Sequence, residues 1–451
     1  MREPVGHYVP HTDAEIDAML AALGLSTVDE LFAAVPQALR LAGGLDLPPG
    51  LSEPDVLARL EELAARNQVS GRDLVCFAGA GAYDHEVPAV TRSLAGRAEF
   101  VTAYTPYQAE VAQGVLQALF EFQTMVARLA GVGVANASLY DGASATVEAV
   151  NLATSSSGRP SVWISQGVHP HWRQVVTTFA AGEGRDVVEI PLEDGLTAWP
   201  DARNGVGAVV AAYPNYLGCL EDLARARRVA DDAGAPLVVA FDPVAAGLLR
   251  SPGSWGADVV VGEGQAFGTT LNFGGPYLGL FACTEEHVRR LPGRLVGATV
   301  DTEGRTSYVT TLRTREQDIR RERASSNVCT NQTLMAVTAA IQLGWLGTSG
   351  LNEVALRCAR GARYCRQALL AIEGVEPLVS APVLREFAIR APVEGEVLVE
   401  RLAEEGFLAG VPLGPGLEAS GCDGGMLVAV TERRTRDEID AFAAAFEKAV
   451  R

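Results

Sequence analysis

Through the first seventy residues, apolar side chains recur at helical spacing; beyond them the pattern switches to short β-branched runs. Thr12-Asp13-Ala14-Glu15 has the form of a capping box, and Ile16, Met19, Leu20 and Leu23 follow on one helical face. Ser26 is a second candidate cap, with Leu31, Phe32 and Val35 before Pro36. Ser52 opens a third helix carrying Val56, Leu60, Leu63 and Ala64, and Pro48-Pro49-Gly50 separates the two. Helices this short are marginal alone, so the pattern predicts a helical arm over 1–70 that packs on something larger.

From about residue 71, strands are predicted over 73–77, 161–165, 207–213, 236–241, 257–261 and 276–282. Helical stretches lie between them, for example over 146–154 and 222–233. Strand–helix–strand alternation at this spacing implies an α/β domain over 71–330, a mainly parallel sheet with helices on both faces. After Cys329 comes a long apolar helix. Its apolar part, 334–346, is too short and too interrupted to span a bilayer, so a buried helix is predicted. Helices over 359–372, 397–405 and 435–448 then mix with strands over 386–390 and 425–430. Residues 331–451 therefore read as a linking helix and a small α+β domain, whose last helix opens on a second capping box, Thr435-Arg436-Asp437-Glu438.

Composition narrows the chemistry. The 451 residues are 48% apolar and 20% charged, with a formal charge of −18, which argues against nucleic acid or an anionic membrane surface as a partner. No apolar h-region follows Met1, so no signal peptide is read. The seven cysteines are scattered without a C-x-x-C, which fits reduced thiols in a cytoplasm and neither a disulfide framework nor a zinc site. Among 37 lysines and arginines only Lys448 is a lysine. A mechanism that needs an internal lysine, as a Schiff base or to grip phosphate, has no candidate before the C-terminal helix.

Several residues could carry chemistry. Asp242 directly follows the strand over 236–241, at the sheet edge where ligands bind in open parallel sheets. A carboxylate there can pair with a cofactor ring nitrogen, although position alone favours an ordinary loop aspartate or cap. Gly142, Ala143 and Ser144 lead into a helix whose N-terminal N–H groups could cradle a phosphate; most such turns bind nothing. His169-Pro170-His171 has no cysteine or carboxylate cluster beside it, which argues against a metal. A surface-loop histidine is the simpler reading, and an imidazole stacked on a flat ring the sharper one. The glycines of 262–268 and 79–81 do not have dinucleotide-loop spacing, so NAD is discounted. Asn272-Phe273-Gly274-Gly275-Pro276 reads as a tight turn.

Longer strings then carry a resemblance. Tyr104-Thr105-Pro106-Tyr107-Gln108-Ala109-Glu110, Thr314–Arg321, Ala135–Leu139, the 272–276 turn and the opening Tyr8-Val9-Pro10 resemble the glycine cleavage system P-protein (glycine decarboxylase) family over essentially the whole chain. More narrowly, the likeness is to the N-terminal half of the long P-protein, made in many prokaryotes as a separate α chain, subunit 1. The resemblance implies fold type I of the pyridoxal-phosphate (PLP) enzymes: a large domain with a seven-stranded, mainly parallel sheet and a small C-terminal domain. On that fold Gly142, Ala143 and Ser144 fall at the phosphate cup, His169 over the pyridine ring, and Asp242 at its nitrogen. Gln265 falls where the Schiff-base lysine is expected, if the Gly-Gly-Pro turn sets the register. No catalytic residue is therefore expected in this chain, and the pocket reads as vestigial.

The resemblance further implies a β subunit that holds PLP covalently, an assembly such as α2β2, and cytoplasmic glycine decarboxylation. CO2 would be released and the aminomethyl group passed to the lipoyl arm of H-protein, with T- and L-proteins acting indirectly. Tyr104, Thr105, Tyr107 and the turn residues Asn272, Gly274 and Gly275 are the candidates for reaching the partner's active site. A homo-oligomer that binds PLP without a covalent bond, or a scaffold that recruits H-protein, is the alternative. A stand-alone decarboxylase is opposed by the missing lysine.

Overall fold

The computed structural model describes residues 10–41, 45–101, 104–201, 204–414, 417 and 420–451. Tyr8 and Val9 of the opening motif lie outside the described residues. The chain divides into two compact units, Met1–Asn67 and Gln68–Arg451.

In the first unit Thr12 caps the helix Asp13–Ala22 through a capping box with Glu15, as its sequence requires. The helix Glu53–Ala64 follows Ser52. The segment after Ser26 forms only a 3-10 turn, Val28–Phe32, whose N-cap is Thr27 and not Ser26 and has no side-chain cap hydrogen bond. Among the described residues of this unit only Leu20 is buried, and Leu23, Leu31, Val35, Leu57 and Leu60 are exposed.

The second unit is built on a seven-stranded sheet. In chain order its strands are β1 Val134–Ala135, β2 Ser161–Ser165, β3 Asp186–Ile190, β4 Val206–Tyr213, β5 Leu237–Phe241, β6 Val259–Glu263 and β7 Gly279–Cys283. The spatial order is β1-β7-β6-β5-β4-β2-β3. The pairs from β6 through β3 are parallel; β7 is antiparallel to both β6 and β1. Side-chain alternation along β4 and β5 splits the core into two layers. Val209, Ala211, Leu237, Val239 and Phe241 pack on one face with the helices Gln113–Ala130, Leu223–Ala233 and Thr333–Leu370. Ala208, Val210, Ala212, Val238 and Ala240 pack on the other with the helices Gly142–Ser157 and Pro170–Gly182. Strands with two buried faces have no polar side to alternate, which is why they read as continuous Val/Ala runs.

Residues near the C-terminus form an antiparallel four-stranded sheet, in the order Glu376–Pro377, Glu386–Arg390, Met426–Ala429 and Val411–Pro412, covered by Gly395–Glu404 and Arg436–Val450. Its core includes Phe387, Ile389, Leu398, Phe442 and Phe446. The segment over 73–77 does not join the large sheet. Val75–Cys76 pairs with Phe407–Leu408, and Phe77 stacks on Phe442 with ring centroids 4.0 Å apart. Its apolar character serves the smaller core. The helix expected over 359–372 is the end of the single helix Thr333–Leu370, broken only at Gly347, whose φ of 59° leaves the helical region. Among the described residues this is the one helix long and apolar enough to cross a membrane; here it packs on Gln113–Ala130 and Ala89–Ala95. The edge strand β3 and the hairpin Leu295–Val300/Thr306–Thr311 carry little apolar alternation and were not expected from the sequence.

Candidate functional site

The C-terminal edge of the parallel strands brings distant residues together, as the topology of such sheets requires. Asp242 follows β5, Glu263 ends β6 with Gln265 just beyond, and His169 follows β2. Gly142 begins a helix whose N-cap is Asp141. The second unit's smaller sheet adds Arg385 and Glu386, and the segment ahead of Ala89–Ala95 adds Tyr83 and His85. These residues line or adjoin a cavity of about 90 Å³, which continues into an outer bowl of about 730 Å³ bordered by Asp141, Ala143, His169, His171, Trp172 and Tyr277.

Charge in this pocket is balanced internally. The buried Arg385 donates from Nε to Asp242 and from Nη1 to Nε2 of His85 at 2.7 Å, with its guanidinium 3.5 Å from the centre of the Tyr83 ring. Arginine has only donors, so Nε2 of His85 accepts and its Nδ1–H donates to Glu432 at 2.7 Å. Asp242 also accepts the N–H of Val244. Glu386 takes the Tyr83 hydroxyl and the N–H of Ala80. Burial pushes the Glu386 carboxyl and the Tyr83 phenol above their usual ranges.

Gln265 is 1% exposed, and its amide is fully engaged by backbone. Its oxygen accepts the N–H of Tyr83 at 2.9 Å; its nitrogen donates to the carbonyls of Tyr83 at 3.1 Å and Thr269 at 2.6 Å. It acts as a strut between two segments.

The helix N-terminus is occupied by carboxylates of the chain itself. Asp141 accepts the N–H of Ser144 at 2.7 Å. Glu263 accepts the N–H groups of Gly142 at 3.0 Å, Gln265 at 3.0 Å and Leu278 at 2.8 Å. Burial raises the Glu263 carboxyl to about 7 despite those three donors. The Trp172 ring fills the space a side chain at Gly142 would need. His169 donates from Nε2 to the carbonyl of Ala80 at 2.9 Å and accepts the N–H of His171 on Nδ1. Its ring lies between Trp172 and Tyr216, and burial lowers its pKa to about 4, so it is neutral.

A PLP molecule does not fit these residues. A phosphate at Gly142 would meet Asp141 and Glu263 where it needs free N–H groups. The ring nitrogen would compete with Arg385 for Asp242. No amine is present, since the side chain of Lys448 is exposed and pairs with Glu405 elsewhere. Volume does not decide the matter, since the outer bowl of about 730 Å³ lies within the roughly 300–1,000 Å³ typical of small-molecule sites; the anchor points already taken by the chain's own groups do.

The structure thus gathers Ala143, His169, Asp242 and Gln265 around the two cavities, while Gly142 and Ser144, in the first turn of the helix, do not line them. Tyr104, Thr105, Tyr107, Asn272, Gly274 and Gly275 do not line them. Tyr104 is 78% exposed, and Tyr107 lies beneath the guanidinium groups of Arg294 and Arg313. In the turn, Gly275 N–H bonds the Asn272 carbonyl, and Phe273 at its tip is 91% exposed. Sequence reasoning missed Tyr83, Trp172, Arg385 and Glu386. Arg385 and Glu386 left a signal, adjacent charges at the mouth of a predicted strand.

The family model for the glycine cleavage system P-protein matches residues 6–446. Curated relatives include the probable glycine dehydrogenase (decarboxylating) subunit 1 of Moorella thermoacetica, 46% identical over 97% of this chain and 98% of that one. The protein of the same name from Prosthecochloris aestuarii is 45% identical over 96% and 98%. Among solved structures, a crystal structure of glycine decarboxylase (P-protein) of the glycine cleavage system, in inhibitor-bound form, superposes with a TM-score of 0.92 at 44% identity, over 98% of this chain and 100% of that one. A NifS-like protein, 14% identical with a TM-score of 0.60, shares the fold alone. The architecture is fold type I of the PLP enzymes.

Proposed function

The chain belongs to the glycine cleavage system P-protein family, and from that premise we propose that it is the non-anchoring subunit of a two-chain glycine decarboxylase. The observation that carries this reading is Gln265: at the end of β6, beside Asp242 and Glu263, an amide wholly committed to backbone stands where an amine would have to be. The relatives' designation as subunit 1 supports a second, homologous β subunit. PLP bound covalently on that β subunit supplies the electron sink for losing the glycine carboxylate as CO2. The aminomethyl group then passes to the lipoyl arm of H-protein, and T- and L-proteins act after that transfer.

In this reading the pocket of the present chain is a folded brace, and its exposed surface does the functional work. Tyr104, Thr105, Tyr107 and the turn Asn272, Gly274 and Gly275 form walls of the partner's active site. The exposure of Tyr104 and Phe273 supports a surface meant to be covered. An obligate interface of this kind buries above roughly 2,000 Å² in total. The complex is cytoplasmic, with an α2β2 or similar stoichiometry, and engages neither nucleic acid nor membrane. Its arm over 1–70 and the parts over 71–330 and 331–451 act as one subunit.

Co-expression with the β homologue followed by a glycine–bicarbonate exchange assay tests this. Exchange is expected from the pair and not from this chain alone, and borohydride should trap no PLP on it. Two independent species in sedimentation of the mixture, or trapped PLP on any residue of this chain, would refute the reading. A mixture that assembles, and stays fully active with Tyr107→Ala and Gly275→Trp, would make the chain a scaffold instead.

A further inference from the structure

Away from this pocket, at the opposite end of β6, buried polar atoms without hydrogen-bond partners gather around Asp258. Its carboxylate accepts Nη1 of Arg227 and the N–H of Leu237, both at 2.7 Å, and its carbonyl accepts the N–H of Thr284 at 3.0 Å. Thr284 leads into the short turn Glu285–Arg290. On that turn His287 is 5% exposed, and neither of its ring nitrogens has a hydrogen-bond partner among the described residues. The same is true of Thr284 Oγ1 and Arg227 Nε. A buried polar atom left unsatisfied costs about 1–3 kcal/mol, so the imidazole is held where a ligand would repay it.

The surrounding atoms indicate which ligand. A ring nitrogen of His287 and one carboxylate oxygen each of Asp258 and Glu286 lie within 4.8 Å of one another. Nε2 of His287 is 3.2 Å from Oε1 of Glu286, yet the two are not aligned as a hydrogen bond. Two ligands of one tetrahedral ion, each bonded at about 2.0–2.2 Å, stand roughly 3.3–3.6 Å apart and point at the ion and not at each other. Arg227 is shared between Asp231 at 2.9 Å and Asp258 at 2.7 Å, so it does not neutralise Asp258 alone.

We propose that Asp258, Glu286 and His287 form a binding site for a divalent transition cation of the zinc type. One nitrogen and two carboxylate oxygens suit such an ion better than calcium or magnesium, which take oxygen ligands. The exposed Glu286 leaves a fourth position to water. The ion would tie the turn Glu285–Arg290, and with it the entry to the hairpin Leu295–Val300/Thr306–Thr311, to the start of β6. Its role is structural, remote from the glycine chemistry.

The test uses the full-length chain, alone and with its partner, stripped with EDTA and titrated calorimetrically with Zn(II). Co(II) provides a spectroscopic reading of coordination. Wild type should take up one equivalent that His287→Gln abolishes and Glu286→Ala weakens at least tenfold. A Zn(II)-dependent rise in Tm should vanish in His287→Gln and shrink in Glu286→Ala. Glu286 is solvent-exposed, so Glu286→Ala keeps the test valid even if His287→Gln does not fold. Equal Zn(II) affinity of wild type and Glu286→Ala, or no uptake by wild type, overturns the site.

Discussion

The pocket at the edge of the sheet and the turn at Asn272–Pro276 are close in sequence, yet they solve opposite problems. In the pocket, Gln265, Glu263, Asp242 and Arg385 are buried or nearly so and bonded to one another or to backbone. At the turn, Phe273 is almost fully exposed, and Tyr104 is largely uncovered too. A group that must receive a ligand leaves bonding capacity open; a group that replaces a ligand closes it. The inner pocket is closed, with Asp141 and Glu263 on the N–H groups of the helix start and Arg385 on Asp242. What the chain leaves open is surface. That contrast supports the proposed role of a subunit that completes another's site.

The largest expected effect tests the closed region. Arg385→Ala leaves Asp242 and His85 buried without their partner, and breaking such a pair should cost about 3–5 kcal/mol in chemical denaturation. A loss under about 1 kcal/mol would mean the pocket is hydrated and open, and the comparison would fail.

Next is the pH dependence of Glu263. Its folded pKa, about 7, lies above the ordinary 4.5, so the folded state binds more protons between those values. Its contribution is fully present below about pH 4.5 and is lost as pH rises through about 7, up to about 3 kcal/mol in total. Glu263→Gln should flatten that fall. Glu148, also raised to about 7 by burial, remains as an internal reference. Denaturation midpoints of both proteins from pH 5 to 8 measure the difference; parallel curves would show that Glu263 is not the titrating brace.

Sharper in meaning is Gln265→Lys, whose cost combines lost backbone bonds with a buried ammonium. The amide's three backbone bonds are worth roughly 0.5–1.5 kcal/mol each, and the buried ammonium would replace only part of them. The variant should be less stable and still trap no PLP with borohydride, because Glu263 and Arg385 continue to occupy the other two anchor points. A trapped cofactor would show that the closure rests on one residue.

The smallest stability change belongs to the open region. Tyr104→Ala and Phe273→Ser should alter the stability of the isolated chain by no more than about 0.5 kcal/mol, as exposed positions do. The same variants should lower glycine–bicarbonate exchange by the assembled pair. Loss of stability without loss of exchange would reverse the roles assigned to the two regions.

Much of this was legible in the sequence, for physical reasons. Both capping boxes are local, since each depends on side chains three residues apart, and Thr12/Glu15 and Thr435/Glu438 close as their letters predict. The runs of β2, β4, β5 and β6 betray strands buried on both faces, and the strand end at Asp242 locates the sheet edge where a site must lie. The lone lysine is a matter of counting. Tertiary structure alone decided what the pocket does with its residues. Asp242 and Arg385 are bonded across a span no periodicity connects, as are Tyr83 and Gln265, and Glu432 and His85. Likewise, whether Phe77 serves the large sheet or the small core is set by which ring it meets, Phe442. Local chemistry fixes caps, strands and their ends, because those energies lie within a few residues. Whether a buried charge awaits a ligand or already has its partner depends on contacts that exist only once the chain has closed on itself.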